Sequence, residues 1–142
     1  MSYKKLKYRI KKNEGYSDNP YQDQLGFYTI GYGHLITKKE NKYYIKKFKK
    51  KYFEKLFEID FKKAHEQYKK NFFKKNHTTL ERELLIEMIF QLGTKGVSKF
   101  KKMLYFLNKK QKFMASLEML DSLWYLQTPE RVQNLIKNYT KK

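Results

Sequence analysis

Apolar residues recur every three or four positions along much of this chain, which is the spacing of one face of an α-helix. In residues 3–13 they are Tyr3, Leu6 and Ile10, set among basic residues, and Gly15 stands where a helix would end. A longer stripe predicts an amphipathic helix over 45–74. Its members are Phe53, Phe57, Phe61, Ala64, Tyr68 and Phe72. We assign both stripes to packing in a core.

The carboxy-terminal half has the helix start and stop signals expected of a helix bundle. Thr78 and Glu81 have capping-box spacing before an apolar run, and Gly93 with Gly96 would close that helix. Further helices are predicted around 98–109, 111–121 and 129–139. Thr128 and Pro129 provide N-cap and first-turn chemistry for the last of them. His65 and His77 are assigned to surface or lobe packing.

Between the first helix and the long stripe, the period changes to that of a β-hairpin. A short strand is predicted from Tyr21, followed by a turn at 24–26 and a β-rich run at 27–30. The fold class is therefore α+β and mostly helical. We expect one domain over 1–142, with a small hairpin lobe at about 1–44, a linking helix at 45–75 and a helical lobe at 76–142.

Composition excludes several kinds of chemistry. The chain has no cysteine, so disulfides and thiol catalysis are excluded, and its three histidines lack metal-ligand spacing. We expect no metal and no cofactor. The amino terminus has no apolar core of signal-peptide length, and no apolar run approaches about 18 residues. We therefore expect synthesis in the cytoplasm of the producing cell.

The formal net charge of +19 introduces a rival interpretation, because clustered cations among aromatic residues also occur in nucleic-acid-binding proteins. Only three of the 33 basic residues are arginine, whereas base recognition favours the planar guanidinium group. We expect no specific nucleic acid. The charge should instead attract anionic wall polymers or anionic lipid, and salt should weaken that attraction.

Two carboxylates and a hydroxyl fall close together near the hairpin. Glu14 lies at the predicted helix end, and Asp23 and Thr29 lie on opposite arms of the hairpin. Glycoside hydrolysis needs one carboxyl group to protonate the departing oxygen and a second to activate water or stabilise the sugar cation. Each residue also has an ordinary structural interpretation, as a helix-end carboxylate, a turn former and a strand former.

The same residues belong to a longer pattern. Its blocks are Glu14-Gly15, Tyr21-x-Asp23, Gly26-x-Tyr28-Thr29-Ile30-Gly31-x-Gly33-His34-Leu35, Leu56-Phe57-x-x-Asp60, Met88-Ile89-Phe90-Gln91-Leu92-Gly93-x-x-Gly96-Val97 and Trp124-Tyr125-x-Gln127-Thr128-Pro129-x-Arg131. In identity and order, these blocks resemble the T-even phage lysozyme family, glycoside hydrolase family 24. They cover most of the chain.

The resemblance implies a muramidase, with its active site in a cleft between the two lobes. Glu14 would be the general acid, Asp23 the second catalytic carboxylate, and Thr29 a hydroxyl that helps to hold the attacking water. The substrate would be bacterial peptidoglycan, cut at the β-1,4 bond between N-acetylmuramic acid and N-acetylglucosamine. The family inverts configuration, which generally requires about 6.5–9.5 Å between the carboxylates.

Further residues receive roles by the same resemblance. Arg131 would pair with the catalytic acid, and Gln91, Thr128 and Arg131 would help to position the sugar or the acid. His34 and Asp60 would form a structural ion pair. The resemblance also implies a monomeric endolysin that reaches the wall through a membrane lesion made by another protein. A catalytically impaired wall binder and a lysine-rich polyanion binder remain as alternatives.

Two segments depart from the family pattern. Residues 37–44 are shorter than the loop and small helix that usually follow the glycine-rich block. The threonine that often caps the linking helix is replaced within 49–51 by lysine, so the start of that helix is open.

Overall fold

Helices and one small sheet make up the computed structural model, which describes residues 3–142. Within that range the helices are α1 (Lys4–Glu14), α2 (Lys42–Ile45), α3 (Lys50–Asn71), α4 (Thr79–Ser98), α5 (Lys101–Asn108), α6 (Lys112–Leu120), α7 (Leu123–Gln127) and α8 (Pro129–Tyr139). The strands are β1 (Ser17–Gln22), β2 (Tyr28–Gly31) and β3 (His34–Leu35), all antiparallel in the order β1-β2-β3. The predicted α+β, mostly helical fold class is confirmed.

The chain divides into two compact units. We call Met1–Lys63 the hairpin unit and Ala64–Lys142 the helical unit. The boundary falls within α3. The hairpin unit has an aromatic core around Ile30, Tyr43 and Phe53, and these three side chains are at most 3% exposed.

Helix α1 follows its predicted pattern. Leu6 and Ile10 are fully buried, and Tyr3 is nearly so. Gly15 ends the helix with a φ of 72°, and its N–H donates to the carbonyl of Lys11. Such a φ is readily available to glycine alone, which explains the sharp end of the helix directly after Glu14.

The hairpin differs from its prediction in two ways. Strand β1 begins at Ser17 rather than Tyr21, and Asp23 lies in the turn after the strand rather than on an arm of the hairpin. A third strand, β3, follows Gly33 and was not predicted, because two residues carry too short a period to detect. Thr29 pairs with Tyr21 across the hairpin and with Leu35 across the second pair of strands.

The predicted helix over 45–74 is shorter than expected. Helix α3 covers Lys50–Asn71, and the separate short helix α2 ends before it, where Lys46 adopts an extended backbone. Phe48, between the two helices, stacks on Tyr52 at 4.5 Å between ring centroids. Phe48 packs against the same aromatic core as the helical stripe. The spacing of apolar residues therefore continues through the break between α2 and α3 and does not reveal that break.

In the helical unit, α4 begins as predicted. The Thr78 hydroxyl accepts from the Glu81 N–H, and the Glu81 carboxylate accepts from the Thr78 N–H, which is a complete capping box. Gly93 breaks the helical backbone with a φ of 75°, and one further turn continues to Ser98. Gly93 therefore interrupts the helix as expected, whereas Gly96 lies inside the turn that follows.

The remaining helices match their predictions closely, except around residue 124. The expected turn before Trp124 is the short helix α7, which the Ser122 side chain caps. Pro129 occupies the first turn of α8, but the Thr128 hydroxyl makes no cap bond to α8. The predicted N-cap chemistry of Thr128 is wrong, because the residue also closes α7 and its hydroxyl donates to the Trp124 carbonyl.

Within residues 3–142, no helix is long and apolar enough to span a bilayer. The same residues contain no group of three or more histidine, aspartate or glutamate side chains arranged to hold a metal ion.

His34 joins the sheet to two carboxylates of the hairpin unit. Its Nδ1 lies 2.7 Å from Asp60 Oδ2 on α3, and its Nε2 lies 3.0 Å from Glu40 Oε2. Burial alone lowers the pKa of His34, but the hydrogen bonds and charges of Asp60 and Glu40 outweigh it and raise the pKa above 6.5. Burial acts to raise the pKa of Glu40, yet hydrogen bonds from Thr37 and His34 lower it below 4.5.

These shifts predict a pH window for stability. A raised His34 pKa stabilises the fold fully below pH 6.5 and loses that effect as pH rises through the folded-state pKa, whereas the Glu40 contribution is lost as pH falls below about 4.5. The cluster should stabilise most between those values. His34→Gln should cost about 1–3 kcal/mol of unfolding free energy at pH 5.5 and much less at pH 9. Urea unfolding at both pH values measures this.

His65→Gln is the matched control. Burial, followed by the charge of Lys69, lowers the pKa of His65, so its pH dependence has the opposite sign. Equal losses for His34→Gln at the two pH values would show that the charged cluster does not stabilise the fold.

Candidate active site

Glu14 is the last residue of α1, and its carboxyl group lies against the backbone of Gly33. A Cβ atom placed on Gly33 would lie 2.6 Å from Glu14 Oε1 and 2.7 Å from Glu14 Cδ. Both distances are far inside van der Waals contact. Gly33 also has a φ of 78°. This position therefore requires glycine for two reasons: the backbone conformation of the turn, and the space that the Glu14 carboxyl group occupies.

Asp23 sits in the turn between β1 and β2. Its Oδ1 accepts from the N–H groups of Leu25 and Phe27, each at 2.9 Å. Its backbone N–H donates to the Phe27 carbonyl, and its carbonyl accepts from the Gly26 N–H. This is the turn chemistry typical of aspartate. The same bonds hold the carboxylate in one orientation, since Oδ1 is fixed twice and Oδ2 has no protein donor among the described residues.

Thr29 lies on β2, two residues beyond the turn. Its side chain is buried, and its hydroxyl donates to the Tyr21 carbonyl at 3.2 Å. That bond uses the proton and leaves the oxygen lone pairs as acceptors. Thr29 is therefore a fixed acceptor, able to orient a donor such as water.

All three predicted catalytic residues belong to the hairpin unit: Glu14 ends α1, Asp23 lies in the turn after β1, and Thr29 lies on β2. Each side chain is fixed by short-range contacts within that unit. Chemically, they provide two carboxyl groups and one hydroxyl acceptor. This set can supply a proton donor, a base and a water-orienting group, which are the components that glycoside hydrolysis uses.

Two of the predicted sugar-positioning residues meet at Trp124 in the helical unit. The Gln91 side-chain oxygen accepts from the Trp124 ring N–H at 3.0 Å, which leaves the Gln91 amide NH₂ group directed by that bond. Thr128 is buried, and its hydroxyl donates to the Trp124 carbonyl at 3.0 Å. Thr128 thus holds the turn between α7 and α8 and does not present its hydroxyl to solvent.

Arg131, on α8, lies beside a carboxylate that the sequence interpretation missed. Its Nη2 is 3.8 Å from Glu87 Oε2, and the Glu87 side chain is only 1% exposed. A buried carboxylate requires compensation by charge or hydrogen bonds. Glu87 therefore places a buried negative charge beside the Arg131 guanidinium group. The predicted pairing of Arg131 with the catalytic acid stays a prediction.

Sequence reasoning missed three contributions, and two of them had a signal in the sequence. Glu87 is a charged residue within the apolar run 84–89 of α4, where burial demands a partner. Glu40 follows His34 by six residues and becomes its second carboxylate partner. Gly33 belonged to the recognised glycine pattern, but only coordinates reveal that Glu14 occupies the space beside it.

Comparison with known proteins gives a consistent result. The sequence profile of the phage lysozyme family matches residues 11–140. Two proteins of Dictyostelium discoideum, "Probable T4-type lysozyme 2" and "Probable T4-type lysozyme 1", are each 32% identical over 154 aligned positions, covering 92% of this chain and 91% of theirs. The chain therefore belongs to the phage lysozyme family and is a glycoside hydrolase of the lysozyme type.

Proposed function

We propose that this lysozyme is a muramidase that cuts the β-1,4 bond between N-acetylmuramic acid and N-acetylglucosamine and inverts the anomeric configuration. The observation that carries the proposal is the position of the Glu14 carboxyl group. This group is held at a helix end against a glycine backbone, in the same unit as a turn-fixed Asp23 and a buried Thr29 acceptor. Family membership supports peptidoglycan as the substrate.

In this mechanism Glu14 protonates the departing glycosidic oxygen while Asp23 accepts a proton from the attacking water. The Thr29 oxygen accepts a hydrogen bond from that water and orients it towards the opposite face of the sugar. Asp23 suits the role because its turn bonds use Oδ1 and leave Oδ2 for the water. Glu14 must be protonated and Asp23 ionised at the start of each cycle.

The helical unit would contribute to substrate binding. The Gln91 amide can donate to a sugar or peptide carbonyl, because the Trp124 bond fixes its orientation. Arg131 would help to position the sugar or the acid, and Thr128 would act indirectly through the turn that it holds. We further propose that the enzyme is a monomer released to the wall through a membrane lesion, and its charge of +19 supports retention there.

Replacing Glu14 tests the acid directly. Glu14→Gln keeps the shape of the side chain but cannot donate the proton, so peptidoglycan hydrolysis should fall about 10²–10⁴-fold. The measurement is the rate of turbidity loss of purified walls, with circular dichroism to verify the fold. Near wild-type clearance by a folded Glu14→Gln enzyme would remove Glu14 from the mechanism.

Gly33 offers a second test, which acts through position rather than chemistry. In Gly33→Ala the new methyl group would displace the flexible Glu14 carboxyl group, so activity should fall about 10²-fold. Gly93→Ala is the matched control. Gly93 has a φ of 75°, so alanine meets comparable backbone strain there, but its Cβ would meet no atom within 4 Å.

Both substitutions place alanine at a positive φ, which should cost about 1–3 kcal/mol of stability in each variant. Only Gly33→Ala should lose most of its kcat on walls. Equal kcat values for the two variants would contradict the claim that Gly33 leaves the space in which the Glu14 carboxyl group is positioned.

Stereochemistry provides an independent test. Water attack on the face opposite the leaving group gives inversion, so the first product from a β-linked glycan should be the α-anomer. Proton NMR of a defined soluble glycan, recorded during the first turnovers, measures this. Initial β-product would instead make Asp23 a nucleophile that forms a covalent intermediate.

A further inference from the structure

Exposed apolar side chains are concentrated at one place in the helical unit. Six of the eight large apolar side chains that are exposed in this unit lie between residues 113 and 126. We call them the α6–α7 surface: Phe113, Met114, Leu117 and Leu120 on α6, and Leu123 and Leu126 on α7. Single exposed apolar residues are normal on a protein, whereas a cluster of them is typical of a binding surface.

Helix α6 is apolar on two opposite sides. Ala115 and Met119 are fully buried. Because an α-helix has 3.6 residues per turn, Phe113, Leu117 and Leu120 lie on the side opposite these two, and they are between 37% and 72% exposed. A helix that is apolar all round is typical of a protein interior. The outer side of α6 is therefore suited to burial against another body.

Helix α7 repeats this arrangement. Trp124 is buried, and its ring N–H donates to the Gln91 side chain, so this residue attaches α7 to the rest of the unit. Leu123 and Leu126 are three residues apart, which places them on one side of the helix, and they are 68% and 74% exposed. The two leucines therefore extend the apolar surface and are not needed for attachment of α7.

Lysines surround the approach to this surface. Residues 99–112, which include α5 and lead into α6, contain six lysines and no acidic residue. Lys101, Lys102 and Lys109 are exposed, and α5 packs against α6. The stretch 113–126 itself carries only two charged residues, Glu118 and Asp121. The surface and its surroundings therefore combine apolar side chains with an excess of positive charge.

The same features decide what covers the surface. A second copy of the chain would bring one charge of +19 against another, and the two would repel. Binding energy between proteins depends mostly on tryptophan, tyrosine and arginine anchors, whereas four of the six residues here are leucine, which is under-represented among such anchors. Phenylalanine and leucine bordered by lysine are instead typical of helices that lie in a membrane surface.

We propose that the α6–α7 surface binds the surface of an anionic lipid membrane. Phe113 and the leucines would enter the boundary between headgroups and acyl chains, and the lysines of residues 99–112 would bind lipid phosphate groups. Helix α6 has nine residues, far fewer than the ~20 that cross a bilayer, so it would lie along the membrane. The enzyme would thereby be held at the membrane surface as a peripheral protein.

The test is flotation of the full-length enzyme with lipid vesicles, which gives a partition coefficient. Vesicles of phosphatidylcholine and phosphatidylglycerol in equal amounts should bind the enzyme, pure phosphatidylcholine should bind it weakly, and salt should reduce the binding. The triple variant Phe113→Ser, Leu123→Ser, Leu126→Ser should lower the partition coefficient at least about tenfold, because it removes apolar area that the bilayer would bury. All three side chains are highly exposed, so the variant should stay folded, and circular dichroism verifies this.

A second triple variant is the matched control: Tyr8→Ser, Ile45→Ser, Ile59→Ser. These side chains are 52–74% exposed, but they lie on three different helices of the hairpin unit, α1, α2 and α3. The control should bind the mixed vesicles as the wild type does. Lys101→Gln with Lys102→Gln should make binding less dependent on salt and on the fraction of anionic lipid.

Equal partition coefficients for the two triple variants would overturn the proposal, since charge alone would then account for binding to lipid. Sedimentation velocity without lipid adds a second check. A wild-type dimer that becomes monomeric in the Phe113, Leu123, Leu126 variant would assign the surface to a second copy of the chain instead. The vesicles contain no glycan, so neither result depends on which bond the enzyme cuts.

Discussion

The four-residue turn Gly31–His34 is the constraint on which the hairpin unit depends. Gly31 has no side chain, and a Cβ there would lie 2.7 Å from the Phe53 ring of α3. Gly33 leaves the corresponding space for the carboxyl group of Glu14 at the end of α1. His34 then bonds Asp60 on α3 and Glu40 before α2. One turn therefore brings together two helices, the sheet and the proposed acid.

This arrangement explains how so short a stretch can carry the proposed chemistry. Glu14, Asp23 and Thr29 lie within sixteen residues, and contacts inside the hairpin unit fix each of them.

Helix positions and the fold class could be predicted from the sequence because the apolar period and the end signals agree, as at Gly15 and in the capping box of Thr78 and Glu81. The break between α2 and α3 could not, since Phe48 packs into the same core as the helical stripe. The site residues were recognisable as a pattern. Their supports, Gly33 against Glu14 and Glu87 beside Arg131, depend on tertiary contacts. The charge of Glu87 within an apolar run indicates that it needs a partner, but no local pattern identifies that partner.

The most direct measurement of the central claim is the identity of the new reducing ends. Purified peptidoglycan should be digested with the wild-type enzyme, reduced with borohydride and analysed by mass spectrometry. Cleavage at the proposed bond leaves N-acetylmuramic acid at every new reducing end, so the account predicts its reduced form as the sole new terminus. New termini of reduced N-acetylglucosamine, or an absence of new reducing ends, would contradict it.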